Sequence, residues 1–226
     1  LIYFSNDKEL SKLLKEETKC KLISYETPNH KIENGITSIA DTKLLIFGDH
    51  NLQNLNAARL VCRELGVTDN SFYQKIATFK GASNRLELVK AGLKSSIYKD
   101  FAHSPSKLKA TIGAMKKQFK NRRLVACMEL HTFSSLNKSF LKQYNGCMNN
   151  ADIAIVYFNP KAIAQKKLTP ISSADVLSAF GRKDLLVISD SKKLEKYIKS
   201  LMWNNQNLLM MSSGNFNGLA LDMLIQ

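Results

Sequence analysis

Leu124-Val125-Ala126-Cys127-Met128-Glu129-Leu130-His131, residues 124–131, decides the fold. Its first five residues are apolar without alternation, the pattern of a short strand covered on both faces. Glu129 and His131 then mark the exit from the sheet. Comparable strands are expected near residues 97–100, 153–158, 185–189 and 208–211. Helices are expected over residues 106–119, 135–144, 191–203 and 217–225, with a shorter one around 173–180. Strands alternating with helices predict a Rossmann-like, doubly wound, mostly parallel α/β domain, which binds ligands beyond the carboxyl ends of its strands. Asp100, His103, Glu129, His131 and the loop Ser212-Ser213-Gly214-Asn215 fall at such ends.

Upstream, strands are expected at residues 1–4, 20–25 and 44–47 and helices at 7–15, 52–65 and 70–79, with a polar turn at Thr27-Pro28-Asn29-His30. This part ends near Ala91-Gly92, dividing the chain into residues 1–92 and 93–226. The sequence starts at Leu1 inside a strand-like run, without an initiator Met, so a fragment of a longer protein is expected.

The 226 residues are 44% hydrophobic, ordinary for globular protein, and long enough for one large or two smaller cores. A formal charge of +14 invites a nucleic-acid partner. The cations are scattered, however: Lys116-Lys117, Arg122-Arg123, Lys166-Lys167 and Lys192-Lys193 sit mostly on polar helix faces or ends. Neither nucleic acid nor membrane is expected as a partner. Cys20, Cys62, Cys127 and Cys147 form no C-x-x-C, which argues against a zinc site or a redox pair, and Cys62 and Cys127 read as small buried hydrophobes. With no signal peptide and no apolar run of membrane-spanning length, a cytoplasmic location is expected.

Three ordered motifs carry chemistry. Gly48 to Ala58 reads GDHNLQNLNAA and sets Asn51 and Asn54 on one face at the opening of a helix, where carboxamides can meet a purine edge. Phe79 to Glu87 reads FKGASNRLE and brings Arg85 out of a Gly-containing turn, a guanidinium suited to phosphate oxygens. Asp100 to Pro105 reads DFAHSP and offers Asp100 for ribose hydroxyls beside His103. Each piece also has a plainer explanation: an N-cap at the first, a cross-strand Arg85–Glu87 pair at the second, a strand-ending Asp and a satisfied loop His at the third. Their order and spacing favour nucleotide binding.

Together the three motifs resemble the C-terminal half of the Mur ligases, the ATP-dependent amide ligases of bacterial peptidoglycan synthesis. Within that family, Met211-Ser212-Ser213-Gly214-Asn215-Phe216-Asn217-Gly218 is similar to a late run of the murein peptide ligases. The resemblance implies that residues 1–92 are the tail of a central ATP-binding domain and residues 93–226 the C-terminal domain. It implies an activity in peptidoglycan recycling: phosphorylation of the UDP-N-acetylmuramate carboxylate by ATP, then attack on the acyl phosphate by the amine of L-alanyl-γ-D-glutamyl-meso-diaminopimelate. By motif position, Asn51 and Asn54 would frame adenine, Arg85 would bind the phosphates and Asp100 the ribose. His103 would be catalytic, near the phosphates or the amine, and His131, Ser134, Ser212, Ser213 and Asn215 would face the peptide.

The match has departures: Lys99 precedes Asp100 where a second acid is common, Ser104 follows His103 where a second His occurs, and Glu129-Leu130-His131-Thr132 fits only loosely. No G-x-x-G-K-[ST] phosphate loop occurs, so the ligands of the implied Mg²⁺ are expected upstream and the chain alone is expected to be inactive. The competing expectations are a ligase that adds L-alanine to UDP-N-acetylmuramate, a regulatory ATP-binding fragment, and a noncatalytic basic module for nucleic acid. The last would need clustered cations and exposed aromatics, whereas Trp203 sits in an apolar helical context and reads as core.

Overall fold

The computed structural model describes residues 1–14 and 19–225, which form two compact units, Leu1–Gly81 and Ala82–Gln226. In the first unit β1 (Ile2–Phe4) leads to α1 (Lys8–Leu13), whose first turn is capped by Asp7 Oδ1 accepting from the Glu9 and Leu10 N–H groups. Lys15, the expected end of this helix, lies outside the described residues. β2 (Ile23–Tyr25) pairs parallel with β1. Then β3 (Lys31–Glu33), β4 (Ile36–Ile39) and β5 (Thr42–Leu44) form an antiparallel sheet. The strand expected at residues 44–47 is therefore shifted: β5 stops at Leu44, and residues 45–47 lead irregularly into α2 (Asp49–Glu64). Leu52 and Leu55 of α2 and Phe72 of α3 (Asp69–Ile76) pack with Ile39, Leu44 and Ile46.

The second unit runs β6 (Glu87–Ala91), β7 (Ser96–Asp100), α4 (Pro105–Gln118), β8 (Arg123–Leu130), α5 (Lys138–Leu141), β9 (Ile153–Phe158), α6 (Pro160–Gln165), α7 (Ser173–Phe180), β10 (Leu186–Ile188), α8 (Ser191–Ser200) and β11 (Gln206–Met211). Its sheet has the order β10-β9-β8-β11-β7-β6, parallel except for β6, so the expected α/β class and mostly parallel sheet are observed. On one face Val125, Cys127, Ile155, Leu208 and Met210 pack against Leu194 and Ile198 of α8, with Trp203 at the margin of this core. Alternation turns Leu124, Ala126 and Met128 to the other face of β8, on which α4 packs; elsewhere in the unit the rings of Tyr144 and Phe180 stack at 5.1 Å. Fully burying each such aliphatic or aromatic side chain stabilises the fold by about 1.5–3 kcal/mol.

Three expectations are corrected. The division at 92/93 becomes one at 81/82, because residues 87–91 are not the end of the first part but an edge strand paired antiparallel with β7. The helix expected at residues 217–225 shrinks to a 3-10 turn at Leu221–Met223, since Phe216, Asn217 and Gly218 all have left-handed φ values of 53°, 59° and 80°. The helix expected at 135–144 is only α5 followed by a 3-10 turn at Lys142–Tyr144.

Candidate active site

Strand register sets the stage. Met211 lies level with Asp100 on one side and Met128 on the other, so β7, β11 and β8 end together and their loops emerge side by side. Phe158 of β9 is level with Leu130, which brings the start of α6 to the same edge.

Asp100 closes β7 and is 4% exposed. Its Oδ2 accepts the Leu86 N–H at 2.8 Å and its Oδ1 the Ala102 N–H at 2.7 Å, with the Thr111 hydroxyl at 3.4 Å. The carboxylate thus braces the turn that carries Arg85, and a ligand hydroxyl has only its remaining lone pairs. Glu87 braces the same turn: the Asn84 N–H, then Lys99, hold its carboxyl below the usual range against some desolvation. Glu87 pairs with Lys99 rather than with Arg85. The exposed Arg85 guanidinium lies 5.8 Å from the Phe101 ring centroid, and His103 meets the same ring edge-on at 5.1 Å.

His103 Nδ1 lies 2.8 Å from the Phe101 carbonyl oxygen. A carbonyl only accepts, so Nδ1 carries the proton and Nε2 of the neutral ring carries the lone pair. The buried Tyr144 hydroxyl donates to the His103 carbonyl at 2.5 Å and fixes the backbone; burial raises its pKa.

Glu129, 3% exposed, organises the second cluster. Its Oε2 accepts a short hydrogen bond from the Ser212 hydroxyl and another from the Phe216 N–H at 2.9 Å, while Ser212 Oγ accepts the Gly214 N–H at 2.6 Å. A Cβ on Gly214 would stand 2.8 Å from His131 Cγ and 2.9 Å from Glu129 Oε2, so only glycine fits this close approach. The Ser213 hydroxyl is buried without a partner, and Asn215 Oδ1 accepts the Gly218 N–H at 3.2 Å. A cleft of about 180 Å³ is lined here by Asn84, Asp100, Ser212, Asn215 and Phe216, among others. His131 Nδ1 is 3.8 Å from Glu129 Oε1, beyond hydrogen-bond reach. Ser134 is exposed on the following turn, its hydroxyl 3.1 Å from Thr132 Oγ1.

Asp100, Arg85, His103, His131, Ser134, Ser212, Ser213 and Asn215 thus share the carboxyl edge of the second unit. Asn51 and Asn54 belong to the first unit, on the first turns of α2. Gly48, at φ 87°, is the N-cap, which removes the simple capping explanation of both Asn residues. Asn51 Nδ2 donates to the Phe47 carbonyl at 2.9 Å, and Asn54 is exposed. Among the described residues no group of three or more His, Cys, Asp or Glu could hold a metal ion.

Sequence reasoning passed over the structural weight of Glu129. The available signal was an acid interrupting the apolar run of β8; its partners in the Ser212–Phe216 loop are 83 and 87 positions away.

No protein-family model matches the chain. It is 27% identical over 184 residues to the UDP-N-acetylmuramate–L-alanine ligase of Vesicomyosocius okutanii, covering 78% of this chain and 39% of that protein. To the enzyme of the same name from Agathobacter rectalis it is 29% identical over 186 residues, covering 81% and 40%. The chain therefore spans about two fifths of the length of these curated relatives. Among solved structures, the UDP-N-acetylmuramate–alanine ligase of Thermotoga maritima shares the fold with a TM-score of 0.68 at 18% identity, covering 96% of this chain and 49% of that one. The MurF ligase of the same organism, in complex with ADP, gives 0.67 at 18% identity, covering 95% and 50%. Three ordered motifs, similarity to UDP-N-acetylmuramate–L-alanine ligases over some four fifths of the sequence and a fold shared with two solved ligases lead to one conclusion: the chain is similar, in sequence and in fold, to one half of such ligases.

Proposed function

We propose that the chain is the C-terminal half of an ATP-dependent amide ligase that acylates an amine with UDP-N-acetylmuramate. The observation that carries this reading is the similarity to two UDP-N-acetylmuramate–L-alanine ligases over about four fifths of the chain. The ADP bound to a ligase of the same fold supports ATP as the phosphoryl donor. On this reading residues 1–81 close a central ATP-binding domain, residues 82–226 are the C-terminal domain, and the setting is the cytoplasm.

ATP converts the sugar's carboxylate into an acyl phosphate, which gives the carbonyl a competent leaving group. The chain's own residues position and neutralise charge. Asn51 and Asn54 frame adenine, Arg85 offers its exposed fork to phosphate oxygens, and Asp100 uses its spare lone pairs on ribose. His103 Nε2 accepts the proton that the amine loses on attack, as the proton on Nδ1 allows. Ser134, His131 and the loop with Ser212, Ser213 and Asn215 face the amine substrate. Mg²⁺, which ATP chemistry commonly uses, finds no ligand set among the described residues.

The amine is that of L-alanyl-γ-D-glutamyl-meso-diaminopimelate, which the Met211–Gly218 run favours. A second reading, free L-alanine, is favoured by the names of the relatives. Both present an L-alanyl amino group. ADP release by the full-length gene product with ATP, Mg²⁺ and UDP-N-acetylmuramate separates them: turnover with the tripeptide alone supports the first, with alanine alone the second, and with neither refutes the ligase.

A further inference from the structure

Two half-buried lysines of the second unit meet a carboxylate each, Lys99 with Glu87 at 3.2 Å and Lys116 with Asp152 at 2.8 Å. Lys90, on β6, is half-buried without one. Its Nζ donates to the Ile225 carbonyl at 2.7 Å and to the Asp222 carbonyl at 3.2 Å; among the described residues neither the Asp222 carboxylate nor any other lies at ion-pair distance. One of the three ammonium hydrogens is thus unused, and the charge is uncompensated. Lys90 opens onto a cleft of about 630 Å³, which it lines together with Lys199, Leu201, Trp203, Met223 and Ile225. The Trp203 ring is fixed there by its indole N–H, which donates to the Ile198 carbonyl at 3.1 Å. In the register of β6 and β7, Lys90 stands beside Ile97, towards the amino end of β7 and away from the end that carries Asp100. The cleft is distinct from the one that Asp100 and Ser212 line.

We propose that this cleft is a binding site for an amphipathic carboxylate, one anionic head on an apolar chain, and that it is separate from the ligase site. Charge selects the head. Lys90 brings an unopposed positive charge with a free donor, and Lys199, whose ammonium is shared with Glu195 at 2.6 Å, adds a second cation to the lining. A wholly apolar occupant would strip water from the Lys90 ammonium without replacing it, which is costly. A polyanion would meet too little positive charge, since only one of the two lysines lacks a carboxylate. The side chains of Leu201, Trp203, Met223 and Ile225 supply the apolar contact, and the volume lies within the usual range of small-molecule sites. Because Lys90 already ties β6 to the carbonyls of residues 222 and 225, an occupant on the same ammonium stabilises the second unit by mass action.

The test uses the full-length gene product with decanoate, decylammonium and acetate as probes, read by calorimetry and by thermal melts. Decanoate should bind saturably and raise the melting temperature, whereas decylammonium, with the wrong charge, and acetate, without the apolar chain, should bind about 10-fold more weakly or not at all. Lys90→Met should weaken decanoate about 10-fold, the loss of one charge-assisted contact. That variant also releases the carbonyls of residues 222 and 225, so a second change decides the matter. Met223 lines the cleft and is 65% exposed, so its replacement leaves the core intact. Met223→Glu should weaken decanoate about 10-fold by placing a like charge beside the head, and Met223→Lys should not weaken it. Saturable decanoate binding that responds to both Lys90→Met and Met223→Glu supports the site. No saturable binding, decylammonium bound as tightly as decanoate, or an affinity unchanged in Met223→Glu would each overturn it.

Discussion

Replacing Asp100 by Ala should unfold the second unit far more easily while leaving the first untouched. The substitution strands the N–H groups of Leu86 and Ala102, which now donate to the two carboxylate oxygens at 2.8 and 2.7 Å in a site only 4% exposed. Each unpartnered buried donor costs about 1–3 kcal/mol, so the pair costs about 4 kcal/mol. With a urea slope of about 2 kcal/mol per molar, the midpoint should fall by about 2 M. Trp203, the single tryptophan, lies in this unit with its indole N–H donated to the Ile198 carbonyl at 3.1 Å, so its fluorescence follows the second unit alone. Asp100→Asn keeps one acceptor and turns its NH₂ on the other donor, which predicts a loss of about half as much. Amide exchange at Leu86 and Ala102 should accelerate selectively. A midpoint within about 0.5 M of the parent in Asp100→Ala, a quarter of the shift expected from two lost partners, would refute the bracing role and return the whole carboxylate to ligand binding.

Gly214→Ala should displace the Ser212–Phe216 loop and cost about 1–3 kcal/mol by overpacking against His131 and Glu129, whereas Gly113→Ala in α4, where a new Cβ meets nothing within 4 Å, should stabilise by about 0.5–1 kcal/mol; thermal melts check both. The Asp175 carboxyl, held down to about 2 by Lys138 first and then by Ser172, contributes stability that is full above its unfolded value near 3.8 and is lost as pH falls through about 2. An NMR titration should find that midpoint, and Lys138→Ala should move it back towards the unfolded value. With a thiol reagent, exposed Cys20 should react first and Cys127, buried and pushed well above the usual thiol range by desolvation, last; fast labelling of Cys127 in the folded chain would contradict the packing of β8.

Apolar runs such as Leu124–Met128 and Ile153–Phe158 made the parallel strands legible, because burial on both faces leaves little else the chain could do there. β6 escaped because its short alternation is broken by a bulge between Leu88 and Lys90, and the unit boundary was misplaced with it. The β3–β4 hairpin had a readable sign in Asn34-Gly35, both with positive φ, which passed unread between short strands. Helical spacing over residues 217–225 was real in the sequence, but three left-handed residues, Phe216 to Gly218, interrupt its start and forbid the entry. Of the site, Arg85, Asp100 and His103 were legible as motif residues. The bracing of one by another was not, since the hydrogen bond from Leu86 to Asp100 and the one from Ser212 to Glu129 join positions that are remote until the sheet forms. Cys62, read as a buried hydrophobe, is only half-buried, while Cys127 is fully buried as read.

The direction of β6 has a mechanical consequence. Because this strand runs against its neighbours, the chain enters the second unit at the carboxyl edge, and the joint at Gly81 and Ala82 lies only a few residues before the Asn84–Leu86 turn clamped to β7. A parallel β6 would have put that joint a full strand away, about 17 Å for five residues. The boundary is instead separated from the Asn84–Leu86 turn, which presents Arg85, by Ala82 and Ser83 alone. The residues that follow the boundary therefore also carry the guanidinium, so a deletion or a proline at residues 82–83 should change the Asn84–Leu86 turn itself.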